Sequence, residues 1–481
     1  MPGDPASPLG QPDDGSSQSE HVVFWDGDDD PANPSNWPRS RAWAHVALIS
    51  LLAFLSPLAT TMFAPAIQHV MDDFNSSSQV LSSLIVTIYV LGWVLGPLVL
   101  APLSEIHGRL LIYHCSGMVY IAFTVCCALS PRIEVLIMAR FLAGAAGSAP
   151  LAIGGGTISD LVPIERRGMA LSLYMFGPIL GPSIGPLLGG VLTDNLSWRH
   201  IFWVIGAAYL FVTVIQILFM RETYPAAILA AKTRRLRKST GNHALRSGLD
   251  PGLTDAQALA RAAIRPARLT LLSPASATLA FISAYVNGLL FLLLTSSPLL
   301  LQVEYGLSPR AIGLTFIAYG LGNLVGLASF NLFSDRFVRA RAAKGALRAE
   351  HRLASALVSG PVLAAGFLWY GWSAQAHAPL LVPVAGTALI GAAGVLFTSG
   401  VIAYLIDCST EYAASAVAAN TVVRSIGGAL LPLAARDMYR VLGWGWGSTV
   451  LAAGAALFTP ALVYLYVRGE KIRNNKPALL L

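Results

Sequence analysis

Apolar runs long enough to cross a bilayer recur along the whole chain, near 43–65, 80–102, 111–129, 134–158, 168–191, 199–219, 275–301, 311–333, 354–373, 380–406, 414–436 and 446–467. A helix needs about 20 such residues to span the hydrocarbon. Only helices and closed barrels can satisfy their own backbone there. Charged residues make up 12% of the chain, against about a quarter in soluble domains. The pattern predicts an all-α polytopic membrane protein.

The Lys and Arg residues set the orientation. They concentrate at 39–41, at Arg109, at 166–167, between Arg221 and Arg268, between Arg336 and Arg352, and after the last run. Basic residues favour cytosolic loops, which places both termini inside. The net charge of +7 then follows from this bias and from the stretch AKTRRLRKST (231–240) beside the anionic inner leaflet. No nucleic-acid partner is needed to explain it.

The polar first 40 residues begin too unlike a secretory signal to be read as one. Residues 1–42 are expected to form a cytosolic tail with Asp26, Asp28, Asp29 and Asp30 solvated and disordered. The polar, basic segment 220–270 splits the chain into two six-span halves, 43–219 and 271–467, and 468–481 form a cytosolic C-terminal tail. APLSEIHGR (101–109) and NLFSDRFVRAR (331–341) echo each other after the second span of each half. Internal symmetry of this kind marks secondary transporters, whose substrate site lies at the repeat interface. Asn75 and Asn195 open Asn-x-Ser sequons in outer loops and are candidate glycosylation sites. The cysteines, Cys115, Cys126, Cys127 and Cys408, offer neither an extracellular pair nor metal-ligand spacing.

GPILGPSIGPLLGG (177–190) has the composition of a loop, yet it lies in a charge-free run from Met169 to Leu192. Glycines four apart share one helix face and admit close approach of another helix. Neighbouring helices can re-satisfy the backbone groups that proline frees. The stretch is therefore expected to be a closely packed, bent span that acts as a pivot.

From Asn33 onward the chain resembles the fungal form of the twelve-span drug:proton antiporters of the major facilitator superfamily. NPSNWP (33–38) is similar to a segment common before their first span. APLSEIHGR resembles their loop between spans two and three, with Leu103, Glu105, Gly108 and Arg109 matching in type and Ala101 departing from the usual glycine. RFLAGAAGSAPLAIGGGTISD (140–160) resembles their fourth-span motif, through Arg140 and Gly144. Gly181, Gly185, Pro186, Gly189 and Gly190 are similar to their fifth-span antiporter motif. LSWRHIFWV (196–204) matches the entry to the sixth span, and AEHRL (349–353) resembles the approach to the ninth, with Ala349 in place of the usual proline.

The resemblance implies a major facilitator fold of two six-helix bundles, with Arg140 in proton coupling. It also implies a cytosolic gate of Glu105, Arg109 and Asp160, joined by Glu165, Arg166 and Arg167, with Asp335 and Asp407 in the second half.

A drug site should be apolar with a few converging polar groups. The candidates are Thr60, Thr61, Phe63, Tyr285, Asn287, Tyr404 and Arg424. No Asp or Glu falls inside a span away from its ends, so a neutral or weakly acidic lipophilic cargo is expected. Asp160, Glu105, Asp335, Asp407 and His45 are the candidate proton carriers.

These readings converge on a monomeric, proton-driven exporter of a toxin, secondary metabolite or drug in the plasma membrane, with the vacuolar membrane as the alternative. It needs no cofactor beyond the proton gradient. The rivals are a polyamine exporter, an uptake transporter for a small polar solute and a non-transporting sensor. No catalytic triad, metal cluster or phosphate loop points to an enzyme.

Overall fold

The computed structural model describes residues 21–27, 29–249, 252, 257, 268, 273–342, 348–408 and 413–474. Among them, 11 helical stretches are long and apolar enough to cross a membrane. The first six are Arg39–Asp73, Val80–His107, Arg109–Ala128, Ile133–Leu161, Ile164–Asn195 and Arg199–Phe219. Pro274–Tyr305, Pro309–Ala342, Ala349–Gln375 and Leu381–Cys408 follow. The last stretch, Ser415–Lys471, is 57 residues long. It is interrupted by the 3-10 turn Leu431–Ala434 and again at Gly443, where φ is 72°. It therefore crosses twice, and the spans number twelve, six on either side of a linker helix at Pro225–Thr240.

Each half buries its own core. Phe63, Val70, Ile85, Leu136, Trp198 and Phe202 form one cluster of the first bundle. Leu279, Leu289, Phe316, Phe367, Tyr370 and Val401 belong to the core of the second, which also takes in Val90 from the first.

The fifth span stays helical through Pro178, Pro182 and Pro186. Its small residues face two helices at once. A Cβ on Gly177, Gly181, Gly185 or Gly189 would meet the first span at Phe54, Leu58, Thr61 and Met62 respectively, in each case touching backbone atoms or the Thr61 hydroxyl. A Cβ on Gly190 would meet the backbone of Pro309, and Gly313 of the eighth span lies against the Pro186 carbonyl in the same way. Two rows of close contact thus run along one helix, one within the first bundle and one between bundles.

The tail corrects a sequence expectation. Val22–Val23 pairs in parallel with Arg246–Ser247 of the linker. The Asp30 carboxylate accepts from the Asp26 and Ala32 backbone N–H groups at 2.9 and 2.8 Å. Lys232 of the linker helix lies 2.6 Å from Asp26 and 3.6 Å from Asp30, and donates to the Phe24 carbonyl. Asp30 is 7% exposed. The acidic run looks solvated in one dimension because its cationic partner is two hundred residues away in the chain. Asp28 and residues 1–20 lie outside the described residues.

Two predictions follow from these contacts. Gly189→Ala forces the first and fifth spans apart and costs about 1–3 kcal/mol of stability, read as earlier unfolding of the detergent-solubilised protein. Gly168→Ala, on the same helix but with open space around it, does not lower the unfolding temperature and raises it slightly, since alanine favours the helix. The backbone N–H groups of Asp26 and Ala32, helped by Lys232, hold the Asp30 carboxyl below its ordinary range. Its contribution to docking is full above the ordinary carboxylate pKa and is lost as pH falls through the lowered value. Hydrogen-exchange protection of residues 22–37, taken against the intrinsic rate at the same pH, should fall in Asp30→Asn at neutral pH and in the native chain only under acid.

Candidate functional site

The polar groups of the spans gather at three levels. At the cytosolic end of the first bundle, Gly108 turns the chain with φ of 93°, a conformation that glycine adopts without strain. The turn delivers Arg109 to the start of the third span. Its guanidinium bonds the Asp160 carboxylate at 3.4 Å and the Ser104 hydroxyl at 2.7 Å, and lies 4.8 Å from the Tyr224 ring. The Glu222 carboxylate accepts from the backbone N–H groups of Arg109, Leu110, Thr223 and Tyr224 at 2.9–3.0 Å. It thereby caps the third span with an anion at the positive end of the helix dipole and ties it to the end of the sixth.

The second half repeats the clasp. Arg352, at the entry to the ninth span, bonds Asp407 at the end of the tenth at 2.9 Å. In both halves a base at the start of the third span of that half meets an acid at the end of the fourth.

Deeper in the first bundle, Arg140 is 2% exposed. Its guanidinium donates to the carbonyls of Ile85 and Thr60 at 2.6 and 3.5 Å. Phe63, Tyr89 and Phe202 present their rings to it at 4.7–5.8 Å. Carbonyl dipoles and aromatic faces substitute for a counter-ion.

The third level lies between the bundles. Asn323 of the eighth span donates to the Ile179 carbonyl and the Ser183 hydroxyl of the fifth at 3.2 and 3.1 Å. Trp93 packs edge-on against Phe291 with centroids 6.2 Å apart. Gly428 lies against Val90, Asn287 and Phe291. Farther out, Arg436 donates to the Ser82 hydroxyl at 2.9 Å. These contacts run from the bilayer centre outward and close the outer side of the inter-bundle space.

A sequence profile described as the Major Facilitator Superfamily matches residues 49–432. The chain belongs to the major facilitator superfamily. MFS-type transporter hepF of Aspergillus oryzae is 43% identical over 98% of both chains. Efflux pump radE of Floropilus chiversii is 42% identical over 95% of this chain and 85% of its own length. The xylose transporter XylE of E. coli shares the fold with a TM-score of 0.65 at 15% identity, over 89% of this chain and 98% of XylE. A bacterial homologue of the human lysosomal transporter Spinster aligns with a TM-score of 0.60 at 15% identity, covering 92% of this chain and all of that one. The protein is a multi-pass membrane transporter of this superfamily and not an enzyme.

The structure regroups the residues singled out from sequence. Arg109 and Asp160 meet, while Glu105 is exposed and near enough to Tyr224 to interact with it electrostatically. Glu222 does the anionic work beside Arg109 instead. Arg167 donates to the Ser159 carbonyl at 3.0 Å, next to Asp160. Asp407 has Arg352. The side chains of Asp335 and Glu165 lie outside those described.

Thr60, Thr61 and Phe63 pack inside the first bundle. There Phe63 and the Thr60 carbonyl enclose Arg140 and the Thr61 hydroxyl bonds Pro57. Tyr285 bonds the Leu451 carbonyl inside the second bundle, and Tyr404 is part of that bundle's core. Asn287 and Arg424 do come together, the Asn287 amide donating to the Arg424 carbonyl at 2.9 Å.

His45 uses both ring nitrogens. Nδ1 donates to the Arg41 carbonyl at 2.8 Å and Nε2 accepts from the Arg221 N–H at 3.1 Å, which makes it a neutral staple between the first and sixth spans. Asn75 is exposed in a turn with φ of 49°, and Asn195, also exposed, ends the fifth span with its amide bonded to the Val191 carbonyl.

Glu222 carries the prediction for this region. Glu222→Ala leaves four backbone donors without their acceptor and costs about 1–2 kcal/mol. Unfolding of the detergent-solubilised protein should start at lower temperature. Glu222→Gln, which keeps one acceptor oxygen, should fall between the two.

Proposed function

We propose that the protein exports small lipophilic molecules, such as a fungal toxin, secondary metabolite or drug, in exchange for protons. The observation that carries this reading is likeness over nearly the full chain to efflux pump radE and other MFS-type transporters of fungi, joined to a fifth span with two rows of close contact. The row against the first span holds the bundle together as it rocks. The row against the eighth span parts when the outer side opens. A carrier whose bundles are joined toward the outer end, as the Asn323 and Arg436 bonds join them, takes cargo from the cytosolic side and exports it by alternating access.

Arg140 acts as a fixed positive charge at mid-bundle that lowers the affinity of its surroundings for protons. Asp160 and Asp407, each held by an arginine at the cytosolic face, gate that side with Arg109 and Arg352, and Glu105 and Asp335 extend the inner rim. Gly181, Gly185, Pro186, Gly189 and Gly190 form the pivot. The plasma membrane is the site of action, the protein acts as a monomer, and Asn75 and Asn195 face outward for glycosylation. A polycationic cargo suits the midplane poorly, since the charges described there are guanidinium groups.

Inside-out vesicles containing the protein should accumulate a neutral or weakly acidic lipophile several-fold when their lumen is acidified. Arg140→Ala should abolish that accumulation while leaving the amount of folded protein unchanged. Accumulation that ignores the imposed gradient would rule out proton exchange, and gradient-driven loss from the lumen would rule out export.

A further inference from the structure

Arg424 sits near the middle of the eleventh span, Ala413–Leu430, and its surroundings differ from those of Arg140. Among the described residues its guanidinium has no ion pair and no hydrogen bond; only its backbone carbonyl is engaged, by Asn287. An arginine cannot shed its charge in a protein, and a bare charge within the bilayer is costly.

The helix geometry shows where this charge points. Asn420, Arg424 and Gly428 are four residues apart and share one face. Gly428 touches Val90 of the first bundle, so that face looks across the inter-bundle space. Ile426 and Leu430, on the other side, are exposed outward. Tyr174 of the fifth span is near enough to Arg424 to interact with it electrostatically, and its hydroxyl is already committed to the Pro150 and Leu151 carbonyls.

Two further polar groups are left over at this level. The second span runs inward from Val90 while the eleventh runs outward to Gly428, so Trp93 and Arg424 each lie about one turn to the cytosolic side of that contact. The Trp93 indole N–H is buried with no hydrogen-bond partner among the described residues. The Asn420 side-chain carbonyl is buried and unpartnered as well; a flip of its amide would present N–H groups at that position. A cation and an indole N–H, with an amide that a flip would turn to donate, stand beside the Trp93 and Phe291 rings and make a receptor suited to an anion. All of it lies just inside the closed outer layer.

We propose that Arg424, with Trp93 and Asn420, seats the acidic group of a lipophilic organic-acid substrate, bound as a carboxylate or an equivalent delocalised monoanion. The assignment rests on the export reading and names its cargo class. The aromatic wall takes the apolar body. The half-buried guanidinium takes the charge in a charge-assisted hydrogen bond.

The test compares 1-pyrenebutanoic acid with its methyl ester, using the purified full-length protein at pH 7.5. The native chain should bind the acid at least about tenfold more tightly than the ester, the effect of one hydrogen bond to a charged group. Arg424→Gln should bring the acid to the level of the ester and leave ester binding unchanged. Arg424→Lys should keep part of the preference, and Trp93→Phe should weaken acid binding several-fold without touching the ester.

Equal binding of acid and ester by the native chain would overturn the assignment, as would an acid preference that survives in Arg424→Gln. The native comparison and Trp93→Phe decide the matter even where Arg424→Gln fails to fold. In reconstituted vesicles, export of both compounds without preference would remove the acid site and leave the export reading intact. Export of neither would remove both.

Discussion

The approach of the fifth span to two neighbours at backbone distance is the contact on which the two-bundle arrangement depends. Side chains of ordinary size at 185, 189 or 190 would hold the first and eighth spans away. With them apart, the Asn323 bonds to Ile179 and Ser183 would be lost. The two rows differ in kind. The one facing the first span is continuous from Gly177 to Gly189 and lies inside one bundle. The one facing the eighth span joins two bundles and carries the hydrogen bonds of Asn323, while elsewhere between the bundles Arg436, past the eleventh span, bonds Ser82 of the second. Van der Waals contact of small residues is strong when complete and is lost quickly on separation. Such an interface can shut firmly and still part for a modest differential binding energy.

Charge is handled differently at the cytosolic face. There each half closes a base from the start of its third span on an acid from the end of its fourth, Arg109 with Asp160 and Arg352 with Asp407. Glu222 extends the first clasp to the end of the sixth span, directly before the linker helix. The linker helix in turn holds the tail through Lys232. Span ends, linker and tail are thus one connected polar layer, and movement of the first bundle carries the tail with it.

The spans, the two halves and the central linker were legible in the sequence because bilayer crossing leaves a length signature that survives without any knowledge of neighbours. The fifth span was legible too, since glycines four apart declare a close-packed face. Helix faces elsewhere were not. A span is apolar toward lipid and toward its bundle alike, so periodicity does not separate Thr60, which is buried beside Arg140, from a residue facing the transport path. Glu222 was missed for a related reason. Its partners, the N–H groups at 109 and 110, are backbone atoms, and no residue type advertises them. The signal that was available is the acid standing just after an apolar run and just before Thr-Tyr-Pro. Asp30 was misread because an acidic run is solvated by default, and the cation that changes this lies in the linker.

Three arginines stand within apolar runs, and the way each is satisfied separates their roles. Arg140 is enclosed by carbonyls and rings of its own bundle, so its charge is a permanent fixture of the scaffold. Arg436 reaches across the outer side to Ser82, so its bond exists in the outward-closed arrangement and must be exchanged for water when the bundles part. Arg424 lies between these two cases, at the bilayer centre and facing the other bundle, with its backbone held and its guanidinium open. Arg140 is fully buried while Arg424 and Arg436 are half-buried, and Arg140 and Arg436 have protein groups arranged to offset their desolvation. A group left without such an arrangement, beside an indole N–H in the same condition, is completed by what passes through the space it faces. The transport path can therefore be located from its unmet electrostatic demand, where its shape alone gives no comparable mark.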